Sequence, residues 1–153
     1  MRKRITPAVS VRTALQGEWL DLEGLAEVQV TSEDPANPIE AALLPGNGEG
    51  WRAATLGTQT IRIVFDNPQN IAHIHLIFVE ERVSRTQEFV LRWAQSTGAQ
   101  PTEILRQQFN FTPVASEVEE YAVNLAAVKV LELEITPAVD RPANASLTEL
   151  RLR

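Results

Sequence analysis

The sequence predicts an all-β protein, an antiparallel β-sandwich of eight or nine strands. From residue 26 onward, apolar side chains alternate with polar ones in most segments, which is typical of strands that bury one face. Clusters of Pro, Gly, Asn and Asp separate these segments at roughly even spacing. No segment carries an apolar repeat of about 3.6 residues over the length of a helix. Many short strands joined by turns indicate a sandwich.

The predicted elements follow one another with little room for a second domain. Ala26–Val30 alternates cleanly, and a long loop rich in Pro and Gly follows at residues 32–50. Within that loop Ile39–Leu44 can form a short helical turn, and Trp51–Ala54 restarts ordered structure. Residues 66–70 have the composition of a turn. Further strands are predicted at residues 60–65, 71–79, 88–93, 109–111, 121–125, 131–135 and 150–152.

The chain length of 153 residues fits one domain with a sizeable core. We divide it into a lead-in, residues 1–25, and a sandwich, residues 26–153. Trp19 lies outside the strand pattern, and we expect it to pack the lead-in onto the sandwich. Trp93 continues the Phe89 and Leu91 stripe and is predicted to be a core residue.

Charge and composition exclude several function classes. The formal net charge is -6, and no Lys or Arg cluster exists beyond the first four residues, so we expect no nucleic-acid partner. No apolar stretch approaches the roughly 18 residues of a membrane span, and we expect no membrane partner. The first residues lack the apolar region of a secretory signal, which predicts a cytoplasmic protein. The absence of cysteine excludes disulfides and thiolate chemistry.

Residues for catalysis are also missing. A nucleophile needs an adjacent base and a group that orients it. The two histidines, His73 and His75, lie two apart on one predicted strand and therefore point the same way. They offer a start for a metal site but no assignable third ligand. The alternative, which the pattern favours, is two polar residues on a solvated face. We predict a protein that is not an enzyme.

Five stretches combine a few anchor residues with alternating strands: Thr31–Glu33, Gly50–Ala54, Gln59–Phe65, Leu133–Pro137 and Ala145–Leu152. They resemble the galactose-binding-like jelly roll, the fold of discoidin (factor V/VIII type C) domains and of many carbohydrate-binding modules. The resemblance covers residues 26–153 and implies a jelly-roll β-sandwich. The run Trp51–Ala54 also resembles the N-terminal domain of a eukaryotic single-strand-break repair scaffold, a protein-binding jelly roll.

The resemblance also implies where a structural calcium ion would lie. Sugar-binding members of this fold use a carboxylate of the first loop, main-chain oxygens and a Glu near the chain end, all hard oxygen ligands. Glu149 matches the terminal Glu, but Pro45-Gly46-Asn47 stands where an Asp-Gly pair is usual. We therefore predict no cofactor and keep calcium at Glu149 as the alternative.

Loops at one end of a sandwich are the expected binding surface. The candidate loops are residues 32–50, 80–87, 110–117 and 137–145. Whether all four share one end depends on whether Trp51–Ala54 forms its own strand. The candidate ligand-binding residues are Arg82 and Arg85, whose planar donors suit hydroxyls and carboxylates, with Trp51, Asn110 and Arg141.

Two functions remain open. The first is a noncatalytic ligand-binding module with a glycan as its ligand. The second is a protein–protein interaction module of a larger bacterial-type or repair-scaffold-like assembly. The low aromatic content of 6%, the missing Asp-Gly pair and the apparently cytoplasmic start favour the second. A charged loop such as residues 80–87 also has a simpler interpretation, a solvated connection with weak internal ion pairs.

Overall fold

A computed structural model describes residues 18–46, 48–81, 83–112 and 115–153, with the side chain of residue 115 excepted. The described part contains two short helices and eight strands, within the predicted number. The helices are α1 (Leu22–Leu25) and α2 (Glu40–Leu43). The strands are β1 (Ala26–Val30), β2 (Trp51–Leu56), β3 (Gln59–Glu80), β4 (Arg85–Ala94), β5 (Thr102–Phe111), β6 (Ala115–Thr136), β7 (Asn144–Leu147) and β8 (Glu149–Leu152).

The strands form two layers, and every pairing between them is antiparallel in the described residues. The first layer has the order β1, first half of β3, second half of β6, β4, β5. In the second layer, the later half of β3 pairs with β8 on one side and with the first half of β6 on the other. Strands β2 and β7 form a separate pair. The rings of Phe78 in β3 and Phe89 in β4 lie 5.3 Å apart and join the layers.

The two longest strands each belong to both layers, and here the sequence prediction was wrong in detail. Residues 66–70 were expected to be a turn between separate strands, and residues 115–136 were expected to contain two strands. The β3–β6 ladder instead continues through the bend, with register shifts between Val64 and His73. Polar groups hold the bend: the Asn70 side chain accepts a hydrogen bond from the Ala127 amide at 3.0 Å. The two strands therefore bend together, and their pairing, which is irregular between Val64 and His73, is regular again beyond His73.

The core lies between the layers and consists of the predicted apolar stripes. Ile61, Ile63 and Phe65 are buried in the first half of β3, and Leu76 and Phe78 in the second half. The stripe at residues 89–91 of β4 is buried as well, whereas Trp93 is only half-buried where it packs against this core. The position of Trp93 near the end of β4 accounts for its partial exposure.

The described part of the lead-in packs on the second layer. The Leu20 amide donates to the Leu152 carbonyl at 2.7 Å, and the Trp19 ring centroid lies 5.9 Å from that of His73. Arg153 lies over the same indole, 4.7 Å from the ring centroid. Neither described helix has the length or the apolar character that crossing a bilayer requires.

Candidate functional site

Three of the four candidate loops meet at one end of the sandwich. An Arg85 Nη1 atom donates to the Pro137 carbonyl at 2.7 Å, which joins the start of β4 to the loop after β6. The Thr86 hydroxyl donates to Asn110 Oδ1 at 2.6 Å, which joins β4 to the end of β5. Arg141 donates to the Ser84 carbonyl. We call this surface, residues 31–34, 56–58, 80–81, 83–86, 110–112 and 136–144, the loop end.

The fourth loop only begins at the loop end. Ser32 Oγ donates to Gln59 Oε1 at 2.8 Å and accepts from the amides of Ala54 and Thr55. The loop then leaves this end, since residues 39–43 pack against β8. The β2 strand pairs with β7 rather than with β3, so it does not separate the other loops. Trp51–Leu56 thus forms its own strand, and three of the four candidate loops, but not the whole of the fourth, share one end.

A cavity of about 310 Å³ lies in the outlying part of the same loop, between residues 36–41 and 48–50. Its charged side chains are the carboxylates of Glu40 and Glu49. Because its lining has two acidic side chains and no basic one, this cavity disfavours anionic ligands. The cavity is separate from the loop end, because none of residues 80–81, 83–86 and 136–144 lines it.

Arg85 is not the exposed loop residue that the sequence predicted. It begins β4 and its side chain is 4% exposed. The Nε atom lies 2.6 Å from Glu80 Oε1, and Nη1 also donates to Gln87 Oε1 at 2.9 Å. Because its side chain is buried and its Nε and Nη1 donors are used within the loop end, Arg85 positions the loops and does not face solvent.

The other candidate residues differ in accessibility. Arg141 and Asn110 are exposed, with Arg141 side-chain exposure at 42% and a partner in Asp140 at 3.9 Å. Arg82 lies outside the described residues. Trp51 is 1% exposed, and its Nε1 donates to the Ser32 carbonyl at 3.1 Å. A buried indole offers no stacking face, so Trp51 is a core residue.

Aliphatic side chains, not aromatic ones, are exposed at the loop end. No aromatic residue is fully exposed within the described ranges. Three large aliphatic residues are exposed at this end: Leu56 at 61%, Val83 at 47% and Val139 at 50%. Leu56 pairs with Asn144 across β2 and β7, and the Val139 amide donates to the Thr86 carbonyl at 3.0 Å. The exposed surface therefore combines aliphatic and polar groups.

A buried polar cluster beneath the loop end was missed from the sequence. Glu117 is 1% exposed, and neither of its carboxylate oxygens has a hydrogen-bond partner among the described residues. Burial, followed by the neighbouring Glu119, raises the pKa of Glu117 to about 8, although Arg85 opposes the shift. Burial also raises the pKa of Tyr121, whose hydroxyl donates to Glu119 at 2.8 Å. Glu117, Glu119 and Tyr121 are spaced two residues apart on one strand and so lie on the same face. This shared face was the feature of the sequence from which the cluster could have been predicted.

The histidine pair lies on the outer face of the second layer. His75 Nδ1 is 2.9 Å from Glu120 Oε1 and Nε2 is 3.0 Å from Glu149 Oε2. The Trp19 ring covers His75 at 5.8 Å between centroids. No group of three or more His, Asp or Glu side chains in the described part is arranged to hold a metal ion. The two imidazoles are therefore engaged by protein groups.

No protein-family model matches the chain, and no curated protein matches it by sequence. Solved structures match it in fold. A family 32 carbohydrate-binding module of C. perfringens NanJ, solved with galactose, has a TM-score of 0.65 at 12% identity, over 88% of this chain and 96% of that one. A C. perfringens CBM32 module solved with GalNAc-β-1,3-galactose has a TM-score of 0.62 at 15% identity, over 88% and 99%. The CBM32 module of AlyQ, solved with 4,5-unsaturated mannuronic acid, has a TM-score of 0.60 at 17% identity, over 89% and 98%.

The chain has the galactose-binding-like jelly-roll fold. The calcium site that the resemblance implied for this jelly roll requires a terminal Glu with oxygens available to a cation. Glu149 does not provide them, because Oε2 lies 3.0 Å from His75 Nε2 and Oε1 lies 3.1 Å from Arg151 Nη2. The residues present do not fit a calcium ion at this position.

Proposed function

We propose that this chain is a noncatalytic carbohydrate-binding module whose binding site lies at the loop end. The observation that carries the proposal is the junction of three loops through Arg85, Thr86 and Arg141. These contacts fix the loops on a rigid sandwich and leave polar and aliphatic side chains facing solvent. The neighbours in fold that were solved with sugars support the ligand class.

The exposed groups have the chemistry that a sugar ring requires. Arg141 offers a planar set of donors for ring hydroxyls, and the Asn110 amide offers two further donors, since its Oδ1 already accepts from Thr86. Sugar rings also have apolar faces, which bury apolar surface on binding. Val83 and Val139 supply such surface in place of an aromatic platform. Arg82 remains a candidate ligand-binding residue from its place in the same loop as Val83.

The proposed noncatalytic role rests on two titratable side chains: His75 is held by neighbouring carboxylates, and Glu117 is buried. General acid–base chemistry needs a group that can reach the substrate. His75 contacts two carboxylates on the outer face of the second layer, and Glu117 is buried beneath the loops. Neither shares an accessible site with a hydroxyl nucleophile in the described part of the chain.

A glycan array with the purified chain tests the proposal, followed by titration calorimetry with the sugars that bind. Arg141→Ala is expected to lower the affinity at least about tenfold, or roughly 1.4 kcal/mol. Lys129→Ala is the matched control, because this cation contacts the Asp66 carbonyl at the bend, away from the loop end. Absence of any binding sugar, or equal losses in both variants, would contradict the proposal.

Protein docking is a second candidate, favoured by the exposure of Leu56, Val83 and Val139 at a single end. Exposed aliphatic groups close together are common at protein–protein contacts. The array separates the two functions, because only carbohydrate binding gives saturable affinity for free sugars. A chain that docks a protein through these residues would bind no sugar on the array.

A further inference from the structure

Arg151 lies where oxygen atoms from two distant parts of the chain converge. Its Nη1 atom donates to the Ala42 carbonyl in α2 at 2.8 Å and to the Leu150 carbonyl in β8 at 3.0 Å. Its Nη2 atom lies 3.1 Å from Glu149 Oε1. The side chain is 11% exposed, so these contacts are largely shielded from water.

This set of acceptors, two main-chain oxygens and one carboxylate, has the composition that a hard cation binds. The guanidinium satisfies the same oxygens with fixed N–H donors and one positive charge. The remaining Glu149 oxygen is held by His75, whose other nitrogen contacts Glu120. His75 therefore orients the Glu149 carboxylate through one oxygen, and Arg151 neutralises its charge at the other.

The segment that Arg151 holds needs an anchor. Helix α2 has four residues and cannot be stable alone, since isolated helices of this length are strongly unfavourable. It lies inside the long connection between β1 and β2, yet it buries Ile39, Ala42 and Leu43 in the core. The Arg151 bond to Ala42 is a polar contact that joins this segment to β8.

We infer that the Arg151 guanidinium performs the structural role of a bound cation, holding α2 against β8, and that the fold of this chain is independent of divalent metal ions. The inference does not depend on the ligand of the loop end. It concerns α2, in the middle of the connection between β1 and β2, and would stand if no sugar bound.

Thermal unfolding of the unaltered chain gives the first test. The melting temperature is expected to be the same in EDTA and in millimolar CaCl₂. A bound cation whose free concentration is about 100 times its dissociation constant would raise the melting temperature by roughly 5–10 °C. A calcium-dependent rise of that size would overturn the inference, because it would show a cation site that Arg151 does not fill.

Hydrogen exchange of Arg151→Met gives the second test, with Arg52→Met as the control. Met keeps an apolar stem but removes every donor, whereas Arg52 is an exposed residue of β2. The amides of residues 42–44 are expected to exchange at least about tenfold faster in Arg151→Met, with β4 amides unchanged. Equal exchange in the two variants would overturn the anchoring role of the guanidinium.

Discussion

The guanidinium carbon of Arg85 lies 4.6 Å from the centroid of the Phe111 ring. A charged side chain thus stacks inside the loop end on the last residue of β5, while its donors reach Glu80, Gln87 and the Pro137 carbonyl. One residue therefore links three loops and the strand that carries them. An arginine in this position is a structural element of the loop end.

Arg85→Ala is expected to destabilise the chain by about 3 kcal/mol, the lower end of the range for breaking a buried ion pair. The lower end applies because Glu80 keeps 15% side-chain exposure. Urea unfolding measures the loss. Arg52→Ala, at an exposed position of β2, should change stability by no more than about 0.5 kcal/mol. Similar losses in both variants would show that the Arg85 contacts contribute little.

Gly50→Ala is expected to destabilise the chain more than Gly46→Ala does. Both glycines have a positive φ, 95° and 78° respectively, so both alanines incur the left-handed cost of about 1–2 kcal/mol. A Cβ at Gly50 would additionally overlap the Leu147 carbonyl oxygen and Thr148, whereas one at Gly46 meets no atom within 4 Å. Paired denaturation curves measure the difference. Equal stabilities would mean that β7 shifts freely away from Gly50.

Trp51→Ala is expected to cost about 3–5 kcal/mol of stability, as for other aromatic residues removed from a core. The indole is 1% exposed and its N–H bond to Ser32 is lost as well. Trp93→Ala is the comparison, and its half-buried ring should give a smaller loss. Guanidinium unfolding at one temperature ranks the two. A larger loss for Trp93→Ala would show that the Trp in β4 contributes more to stability than the Trp in β2.

The stability of the chain is expected to fall as the pH rises from about 4.5 to about 8 through Glu117. The folded chain keeps this proton up to a pKa of about 8, whereas the unfolded chain loses it near 4.5, the ordinary pKa of a Glu side chain. The unfolded state binds fewer protons throughout this window, so raising the pH favours unfolding. Below the window both states are protonated and the penalty disappears.

Glu117→Gln isolates this effect, because the amide is nearly isosteric and does not titrate. The variant is expected to gain stability over the unaltered chain as the pH increases from 5 to 8, measured by urea unfolding at each pH. A constant difference between the two proteins at every pH would show that Glu117 ionises alike in both states.

The apolar stripes made most of the fold predictable. Ile61, Ile63 and Phe65 are buried as their alternation indicated, because a strand with one apolar face has only one way to bury it. The bend at residues 66–70 was not predictable in the same way. Its polar composition fits a turn, and nothing local shows that the ladder to β6 continues through it.

The sequence pointed to the loops that meet at the loop end, but it did not predict the burial of Arg85. Arg85 and Gln87 have the same strand parity as Phe89, so the alternation already directed them inward. Their polar character instead suggested a solvated loop. Whether a polar residue of the right parity is buried depends on a partner elsewhere in the chain, here Glu80 and the Pro137 carbonyl, and sequence periodicity carries no information on such partners.

The folded-over ribbon of β3 and β6 has a consequence for motion. Because β3 and β6 each pass from one layer into the other, an opening of one layer along these two strands would strain main chain that the other layer also uses. We expect the loops at the proposed binding site to keep their positions on this shared ribbon, so that little ordering of the main chain in β3 and β6 would oppose the capture of a ligand.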